Sequence, residues 1–167
     1  MAGEDPTPAL VALKDRLDIQ DAICAVTLHS DMNEPEAALA LYAPGAVIDY
    51  SSVSGPESAN VPVEQHRAKL ATFLPGFDKR QHQVTNFEVK VQGDQASCRA
   101  QVRAIHLLQG EIWLVHGTYH HRLTRTPDGW RITYQRADMI YQENEHLVPL
   151  AAKVVADRQA LAPASAA

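Results

Sequence analysis

The sequence lacks the features of three broad classes of protein. Lysine and arginine number 15 against 20 aspartate and glutamate, so the formal net charge is −5 and no basic face is available for nucleic acid. No apolar run approaches the roughly 18 residues of a membrane span. The N-terminal stretch MAGEDPTPAL does not have the basic-then-apolar layout of a signal peptide. We therefore expect a cytoplasmic protein that binds neither nucleic acid nor a membrane.

Cysteine is scarce as well. Cys24 and Cys98 each lie in an apolar-periodic segment, and no CxxC pair surrounds them. This pattern favours two buried free thiols over a disulfide. Apolar residues still make up 46% of the 167 residues, which is enough to form the core of a single domain.

The two ends of the chain have no periodic apolar face. MAGEDPTP and LAPASAA are rich in small residues and contain proline, which is typical of frayed tails. We expect a flexible tail over residues 1–8, one domain over 9–145, and a C-terminal helix or lid with a tail over 146–167. The predicted C-terminal helix has four apolar residues at helical spacing: Leu147, Leu150, Val154 and Val155.

The first half of the chain has the periodicity of helices. Residues 9–31 are predicted to form a helix whose core face consists of Leu10, Leu13, Leu17, Cys24 and Leu28, widened by Ile19, Ile23 and Val26. A second helix is expected over NEPEAALALY, capped by Asn33, and a third over about residues 62–73, ended by Pro75 and Gly76. Between these two helices, AVIDYSS is predicted to be a short strand.

The second half alternates with a period of two. Strands are predicted over HQVTNFEVKV, ASCRAQVRAIHLL, EIWLVHGTYHHRLTRT and WRITYQRADMIY, with the turn QGDQ between the first two and the turn PDG between the last two. In the second of these strands, one face holds Ala96, Cys98, Ala100, Val102, Ala104 and His106. Helices followed by an antiparallel meander predict an α+β fold, with the helices packed against one face of a curved sheet.

Histidine is concentrated in VHGTYHHRL, which contains His116, His120 and His121. On a strand that rises about 3.3 Å per residue, His116 and His120 lie about 13 Å apart, too far for one ion with bonds of about 2 Å. His120 and His121 point to opposite faces, and no HExxH or CxxC motif supplies further ligands. We therefore expect no metal site.

Four residues are candidates for chemistry. Asp31 continues the predicted core face near the helix C-terminus, where the macrodipole disfavours a carboxylate, so it either needs a partner or lies in a surface turn. His106 follows small apolar residues on its face, and is either an acid–base group or a core histidine. His82 requires a β-bulge to share that face. Tyr50 is either a core residue or a hydroxyl donor. The charged strand ends are expected to be solvated: Glu111, Arg122, Arg125 and Asp128.

Several motifs together resemble the SnoaL-like branch of the NTF2-like superfamily. They are IQD with Asp31 ten residues after Asp21, then LYAPGAVIDYSS, RQHQVTNFEVKV and GTYHHRLTRTPDGWRI, within about residues 9–142. Among the members of this branch, the motifs are most similar to the scytalone dehydratase family. The resemblance implies a cone in which N-terminal helices pack on a strongly curved, mostly antiparallel sheet that encloses a pocket.

The resemblance also implies a set of site residues. In the scytalone dehydratase family a helix-one Asp pairs with a His at the head of a strand, a second His faces the substrate, and a Tyr helps to hold the substrate carbonyl. These residues correspond to Asp31, His82, His106 and Tyr50. The family's polar pair on the following strand corresponds to Thr118 and His120, so the strand face of His116, Thr118 and His120 is expected to line the pocket, whereas Tyr119 and His121 pack or face a neighbouring subunit. Ser30 stands where the family has a second carbonyl-clamping Tyr.

The function implied by this resemblance is that of a lyase without a cofactor. The expected reaction is the elimination of water from a cyclic or aromatic β-hydroxy carbonyl compound, with His82 and Asp31 as the general base. The same Asp–His pair resembles those of hexachlorocyclohexane dehydrochlorinase and of bile-acid dehydratases. An isomerase, another lyase, and a non-catalytic ligand-binding or oxygenase subunit stay open as alternatives. The expected partners are a small-molecule substrate and further copies of the chain, with a trimer favoured over a dimer.

Overall fold

The computed structural model describes residues 7–161, which form helices packed against one six-stranded, curved and unclosed sheet. The helices are Thr7–Asp31 (α1), Pro35–Leu39 (α2), Ser51–Ser54 (α3), Val63–Ala71 (α4) and Leu147–Leu161 (α5). The strands are Tyr42–Asp49 (β1), Val61–Pro62 (β2), Lys79–Gln92 (β3), Gln95–Leu108 (β4), Glu111–Thr126 (β5) and Gly129–Glu143 (β6). The strand order is β2-β1-β6-β5-β4-β3, and only β1 and β6 pair in parallel. The predicted α+β, NTF2-like architecture is confirmed.

Helix α1 packs on the sheet through a different face from the one predicted. Its buried residues are Asp15, Ile19, Ala22, Ile23 and Thr27. The predicted leucine stripe is wrong, since Leu10, Leu13, Leu17 and Leu28 are all exposed, whereas Ile19 and Ile23, which were predicted to widen that face, are buried. The helix is apolar on two sides, and the sheet accepts the side on which Ile19 and Ile23 meet Leu123, Trp130 and Ile132. Asp31 therefore reaches the interior from the edge of the buried face and not as the end of the leucine stripe.

The second helix is also shorter than predicted. Asn33 does not cap a second helix; it has φ of +60° and follows the end of α1, with the Glu34 amide donating to the His29 carbonyl at 2.8 Å. Only Pro35–Leu39 is helical, and Tyr42 already belongs to β1. A tail was predicted over residues 1–8. Its first six residues lie outside the described residues, and residues 7 and 8 belong to α1, which begins at Thr7.

Strand β3 contains the bulge that the alternation of its sequence requires. Its pairing with β4 shifts between Thr85 and Glu88, and Asn86 between them has φ of +55°. The extra residue reverses the parity of the strand, so that Val84 on one side of the bulge and Phe87 on the other pack against the same core cluster. His82, two residues before Val84, is thereby directed to the inner face of the sheet.

The β4–β5 hairpin fixes which face of β5 is buried. Its turn consists of Gln109 and Gly110, both with positive φ, as a two-residue hairpin turn requires. The resulting register pairs His106 with Trp113 and Ala100 with Tyr119. Because directly paired residues point to the same face, Trp113 and Tyr119 lie on the inner face with the buried side of β4.

Helix α5 packs against one end of the sheet. Leu147, Ala151 and Val155 are buried, whereas Leu150, which was predicted on the apolar face, is half exposed. The helix approaches the turn at Leu74–Gly76 so closely that a Cβ on Gly76 would lie 2.0 Å from the Ala151 carbonyl oxygen. None of the helices within residues 7–161 is long and apolar enough to cross a membrane.

Candidate functional site

A cavity of about 360 Å³ lies between the helices and the inner face of the sheet. Its size falls in the range of small-molecule binding sites. Most of its lining is apolar, and the apolar side chains come from both layers: Val26, Ile48, Val53, Leu70, Phe73, Leu74, Val102, Ala104, Trp113, Val115, Ala137 and Met139. A few polar side chains converge on this apolar space, which is the usual composition of a site that orients a largely apolar ligand.

Asp31 and His82 form a hydrogen-bonded pair at the wall of the cavity. The Oδ1 atom of Asp31 lies 2.6 Å from Nδ1 of His82, and Oδ2 accepts the backbone N–H of His82 at 2.7 Å. Both side chains are largely buried, with 12% and 13% of their surface exposed. His82 lines the cavity and Asp31 lies behind it. The two hydrogen bonds hold the imidazole in one orientation and join the end of α1 to the start of β3.

The electrostatics of the pair favour an ionised Asp31. Burial acts to raise the pKa of this carboxyl, but the hydrogen bonds and the charge of His82 outweigh it and leave the pKa below its ordinary value. An ionised carboxylate only accepts hydrogen bonds, so Nδ1 of His82 carries the proton that is donated to Asp31. Nε2 of His82 takes no part in this contact, and in the neutral imidazole it is the nitrogen with the lone pair that a general base requires.

Arg80 was missed by the sequence reasoning and explains why a carboxylate is tolerated at the end of α1. Its guanidinium donates to the carbonyl of Ser30 at 2.8 Å and to the carbonyl of Leu74. A cation on the last carbonyls of a helix offsets the negative end of the macrodipole beside Asp31. Burial lowers the pKa of Arg80, and the nearby Asp31 acts in the opposite direction. Arg80 also fixes the turn that forms the neighbouring cavity wall.

His106 lies beside His82 on the inner face of the sheet. The two ring centroids are 5.4 Å apart and the rings are nearly perpendicular, while the ring of Trp113 lies 4.4 Å from that of His106. His106 is 3% exposed, and its Nδ1 atom has no hydrogen-bond partner. Burial, reinforced by His82, lowers the pKa of His106 to about 3, although a hydrogen bond to the Trp113 backbone acts against the shift. His106 is therefore a neutral imidazole at physiological pH.

Tyr50 contacts the cavity from the other side, within a buried polar network. The Gln135 side chain donates to the Tyr50 hydroxyl at 2.7 Å and accepts from the Tyr42 hydroxyl at 2.5 Å. The Tyr50 and Tyr119 hydroxyls also share a hydrogen bond, and burial raises the pKa of both residues. Both phenols stay protonated at neutral pH and can donate a hydrogen bond.

The expected placement of the β5 substrate-binding residues is wrong. His116, Thr118 and His120 lie on the outer face of the sheet, where His120 pairs with Asp138 at 3.0 Å. The residues of β5 that line the cavity are those of the opposite parity: Trp113, Val115, Gly117 and Tyr119. The hairpin turn at Gln109 and Gly110, read as a two-residue turn, could have predicted this register. Ser30 does line the cavity, as the resemblance implied.

Two further polar residues of the cavity were also missed. His66 on α4 is 5% exposed, and Gln135 on β6 is 3% exposed. His66 lies in a helix for which the sequence gave only approximate bounds, and Gln135 is a polar residue on an otherwise apolar strand face. A polar side chain at a core position of a strand is the signal that could have identified Gln135.

The described residues contain no group of three or more His, Cys, Asp or Glu side chains that could hold a metal ion. The two cysteines are both free, and Cys98 is buried. Arg125 is exposed near the end of β5, as expected, and in addition it forms a two-point ion pair with the buried Asp15 at 2.6 and 2.8 Å.

Comparison with solved structures identifies several proteins with the same fold. Kfla4162 of Kribbella flavida has a TM-score of 0.76 and 31% identity, and the match covers 83% of this chain and 99% of that chain. A provisionally named scytalone dehydratase from Novosphingobium aromaticivorans has a TM-score of 0.69 and 21% identity, and the match covers 85% of this chain and 93% of that chain. The hexachlorocyclohexane dehydrochlorinase LinA-type3 from Novosphingobium barchaimii has a TM-score of 0.67 and 16% identity, and the match covers 81% of this chain and 92% of that chain.

Sequence comparison gives the same assignment. The uncharacterized protein Rv2910c of Mycobacterium tuberculosis is 28% identical over 132 residues, which cover 74% of this chain and 84% of that protein. The SnoaL-like domain matches residues 11–136, about three quarters of the chain. The chain therefore belongs to the SnoaL-like domain family.

Proposed function

We propose that this protein is a lyase that needs no cofactor and eliminates water from a cyclic or aromatic β-hydroxy carbonyl compound. The observation that carries the proposal is the Asp31–His82 pair, with its 2.6 Å hydrogen bond, beside a mostly apolar cavity. A base that is oriented by a carboxylate and faces a water-poor cavity suits the removal of a proton next to a carbonyl group. The names of the two more distant structural relatives, a dehydratase and a dehydrochlorinase, are consistent with elimination chemistry.

The first step of the proposed reaction is proton abstraction. Nε2 of His82 takes the proton on the carbon next to the substrate carbonyl, and Asp31 stabilises the imidazolium that forms. Negative charge develops on the carbonyl oxygen, where the phenol of Tyr119 can donate a hydrogen bond. This phenol is protonated and buried at the cavity wall, so it can supply the donor without prior rearrangement.

The second step is loss of the β-hydroxyl group. His106 is neutral and its one N–H is already engaged with the Trp113 backbone, so it supplies no proton to the departing oxygen. The proton held by His82 passes to this oxygen, the carbon–oxygen bond breaks, and water leaves as the carbon–carbon double bond forms. The neighbouring positions of the His82 and His106 rings allow both to contact one substrate.

An assay for new conjugation tests the proposal directly. With 3-hydroxy-1-tetralone, elimination gives 1-naphthol, which is followed by its ultraviolet absorbance. We expect turnover by the wild type and a loss of about 10²- to 10⁴-fold in His82→Ala, the usual contribution of a general base. His116→Ala is the matched control, because His116 lies on the outer face of the sheet. Equal rates in the wild type and His82→Ala would show that His82 is not the base.

An isomerase is the nearest alternative, because the same pair of residues can move a proton without expelling a leaving group. The two reactions differ in what happens after proton abstraction. Exchange of deuterium from the solvent into the substrate, without formation of the conjugated product, would favour the isomerase. The predicted homo-oligomer, with a trimer favoured, stays a prediction, as does the cytoplasmic location.

A further inference from the structure

We propose that His66 and Tyr50 form a second polar subsite, which binds a hydroxyl group on the part of the substrate remote from the reacting carbons. This inference rests on the proposed function for the identity of the reacting end. It assigns a role to a buried histidine that the elimination mechanism does not use, and it specifies a feature of the substrate.

The topology places this subsite across the cavity from the Asp31–His82 pair. His82 lies on β3, at one edge of the sheet, whereas Tyr50 directly follows β1, four strands away in the order β1-β6-β5-β4-β3. His66 on α4 packs over the β1 side, with its ring centroid 4.5 Å from that of Tyr50. His82, at the one side, and Tyr50 and His66, at the other, line the same cavity. A ligand that fills the cavity therefore contacts both.

His66 has an unmet hydrogen-bonding capacity. It lines the cavity, is 5% exposed, and its Nδ1 atom has no hydrogen-bond partner. Buried polar groups are nearly always paired, so an imidazole in this position is costly to the folded protein unless another molecule supplies its partner. Leucine or phenylalanine would fill the same space between α4 and Tyr50 without that cost. The position therefore indicates ligand binding.

The charge state of the subsite selects the class of ligand group. Burial, assisted by Lys69, lowers the pKa of His66 to about 4, so the imidazole is neutral at physiological pH. Tyr50 is a protonated phenol whose oxygen already accepts from Gln135. A neutral imidazole, with one donor and one acceptor nitrogen, and the Tyr50 oxygen, with one lone pair left, match an alcohol or phenol hydroxyl, which both donates and accepts. Arg67 also lines the cavity, so a carboxylate is the competing ligand group and the test includes it.

Equilibrium binding of three related ketones tests the proposal without turnover. The probes are 1-tetralone, 6-hydroxy-1-tetralone and 6-carboxy-1-tetralone, none of which carries a leaving group. Isothermal titration calorimetry measures the affinity of each ketone for wild type, His66→Phe, His66→Gln and His116→Phe. His66→Phe keeps a ring against Tyr50, His66→Gln restores a donor and an acceptor, and His116→Phe repeats the first substitution on the outer face.

We expect wild type to bind the hydroxylated ketone about tenfold more tightly than 1-tetralone. This ratio is the gain in affinity that one well-made hydrogen bond provides. This preference should fall to about twofold or less in His66→Phe, with the affinity for 1-tetralone nearly unchanged. It should return in His66→Gln and persist in His116→Phe.

Three results would overturn the proposal: an equal preference in wild type and His66→Phe, no preference or no binding in wild type, or tighter binding of the carboxylated ketone. Loss of the elimination reaction in the separate turnover assay would leave this binding comparison intact, so failure of the two proposals can be told apart.

Discussion

Helix α1 is joined to the sheet by a buried carboxylate at each end, and the two ends differ in chemistry. Near its start, Asp15 accepts two hydrogen bonds from Arg125 and one from the Trp130 indole. At its last residue, Asp31 accepts two hydrogen bonds from His82. The two aspartates are about 24 Å apart along the helix axis at 1.5 Å per residue. Each forms a short, two-point contact with the sheet.

The partner of each carboxylate determines what that end of the helix can do. Arg125 keeps its proton, because an arginine is already protonated at neutral pH and the hydrogen bonds and charge of Asp15 raise its pKa further. Arg125 also stacks over Trp130, with its guanidinium carbon 4.5 Å from the ring centroid. His82, in contrast, belongs to the residue type that gains and loses protons near neutral pH. The first contact is therefore a fixed attachment, and the second contains the type of residue that the proposed proton transfer requires.

The surroundings of the two contacts differ in the same sense. Asp15 and Trp130 lie against a closed core cluster that includes Ile19, Leu123 and Ile132. The Asp31–His82 pair faces the cavity, with the neutral His106 beside it. A carboxylate that docks a helix is thus no sign of catalysis by itself. Open space next to a proton-accepting partner distinguishes the candidate site.

The largest expected difference between the two ends concerns turnover. Asp31→Asn should lower kcat for the elimination by about 10²- to 10⁴-fold, because an amide cannot stabilise the imidazolium of His82 and can donate to Nδ1, which favours the wrong tautomer. Asp15→Asn should leave kcat per folded molecule within about twofold. The ultraviolet assay measures both, and comparable losses in the two variants would contradict the assignment of the reacting end.

The second difference concerns the dependence of stability on pH. The buried imidazoles His66, His106 and His121 have pKa values lowered by burial, to about 4, 3 and 3. The unfolded chain binds protons on histidine below about pH 6.5, whereas the folded chain does not until about pH 4 or lower. The unfolded state therefore binds more protons in this window, and the free energy of unfolding falls as the pH falls from 6.5 to 4.

Urea unfolding at pH 7 and pH 5 measures this effect. Each buried neutral histidine should account for a loss of about 2 kcal/mol at pH 5. His106→Leu should therefore lose less stability than wild type over the same interval, whereas Asp15→Asn should lose as much as wild type, because its contact contains no histidine. An identical loss in wild type and His106→Leu would show that His106 is protonated in the folded state.

The smallest effect is expected from the fixed attachment, and it concerns stability alone. Asp15→Asn removes the charge that pairs with Arg125 but keeps an acceptor for Trp130. We expect it to lower the Tm by about 3 °C at pH 7, since Arg125 is exposed and water replaces much of the contact. Thermal unfolding measures it, with Asp31→Asn as the comparison. An unchanged Tm would show that the core cluster alone docks this end of the helix.

The sequence predicted well wherever a pattern is local. Alternation gave the bounds of the four long strands to within three residues, and it placed His106 on the inner face because that face of β4 is otherwise small and apolar. Alternation also showed that His82 would need a bulge, and the structure has one around Asn86. Asp31 and Tyr50 were placed through the family resemblance, and they lie at the cavity end of α1 and at the wall beyond β1.

What the sequence by itself determined, then, is the kind and order of the elements and the inward side of β4, because these depend on periodicity within a few residues. Only the tertiary structure decided which face of α1 is buried, since two faces of that helix are apolar and the sheet accepts one. It also decided the inner face of β5, which follows from the hairpin register and places Tyr119, not His120, at the cavity. The contacts of Arg80 with Ser30 and of Arg125 with Asp15 join residues 50 and 110 positions apart, and the burial of His66 depends on a helix packed over the sheet. Such long-range pairings are set by packing and have no local signature.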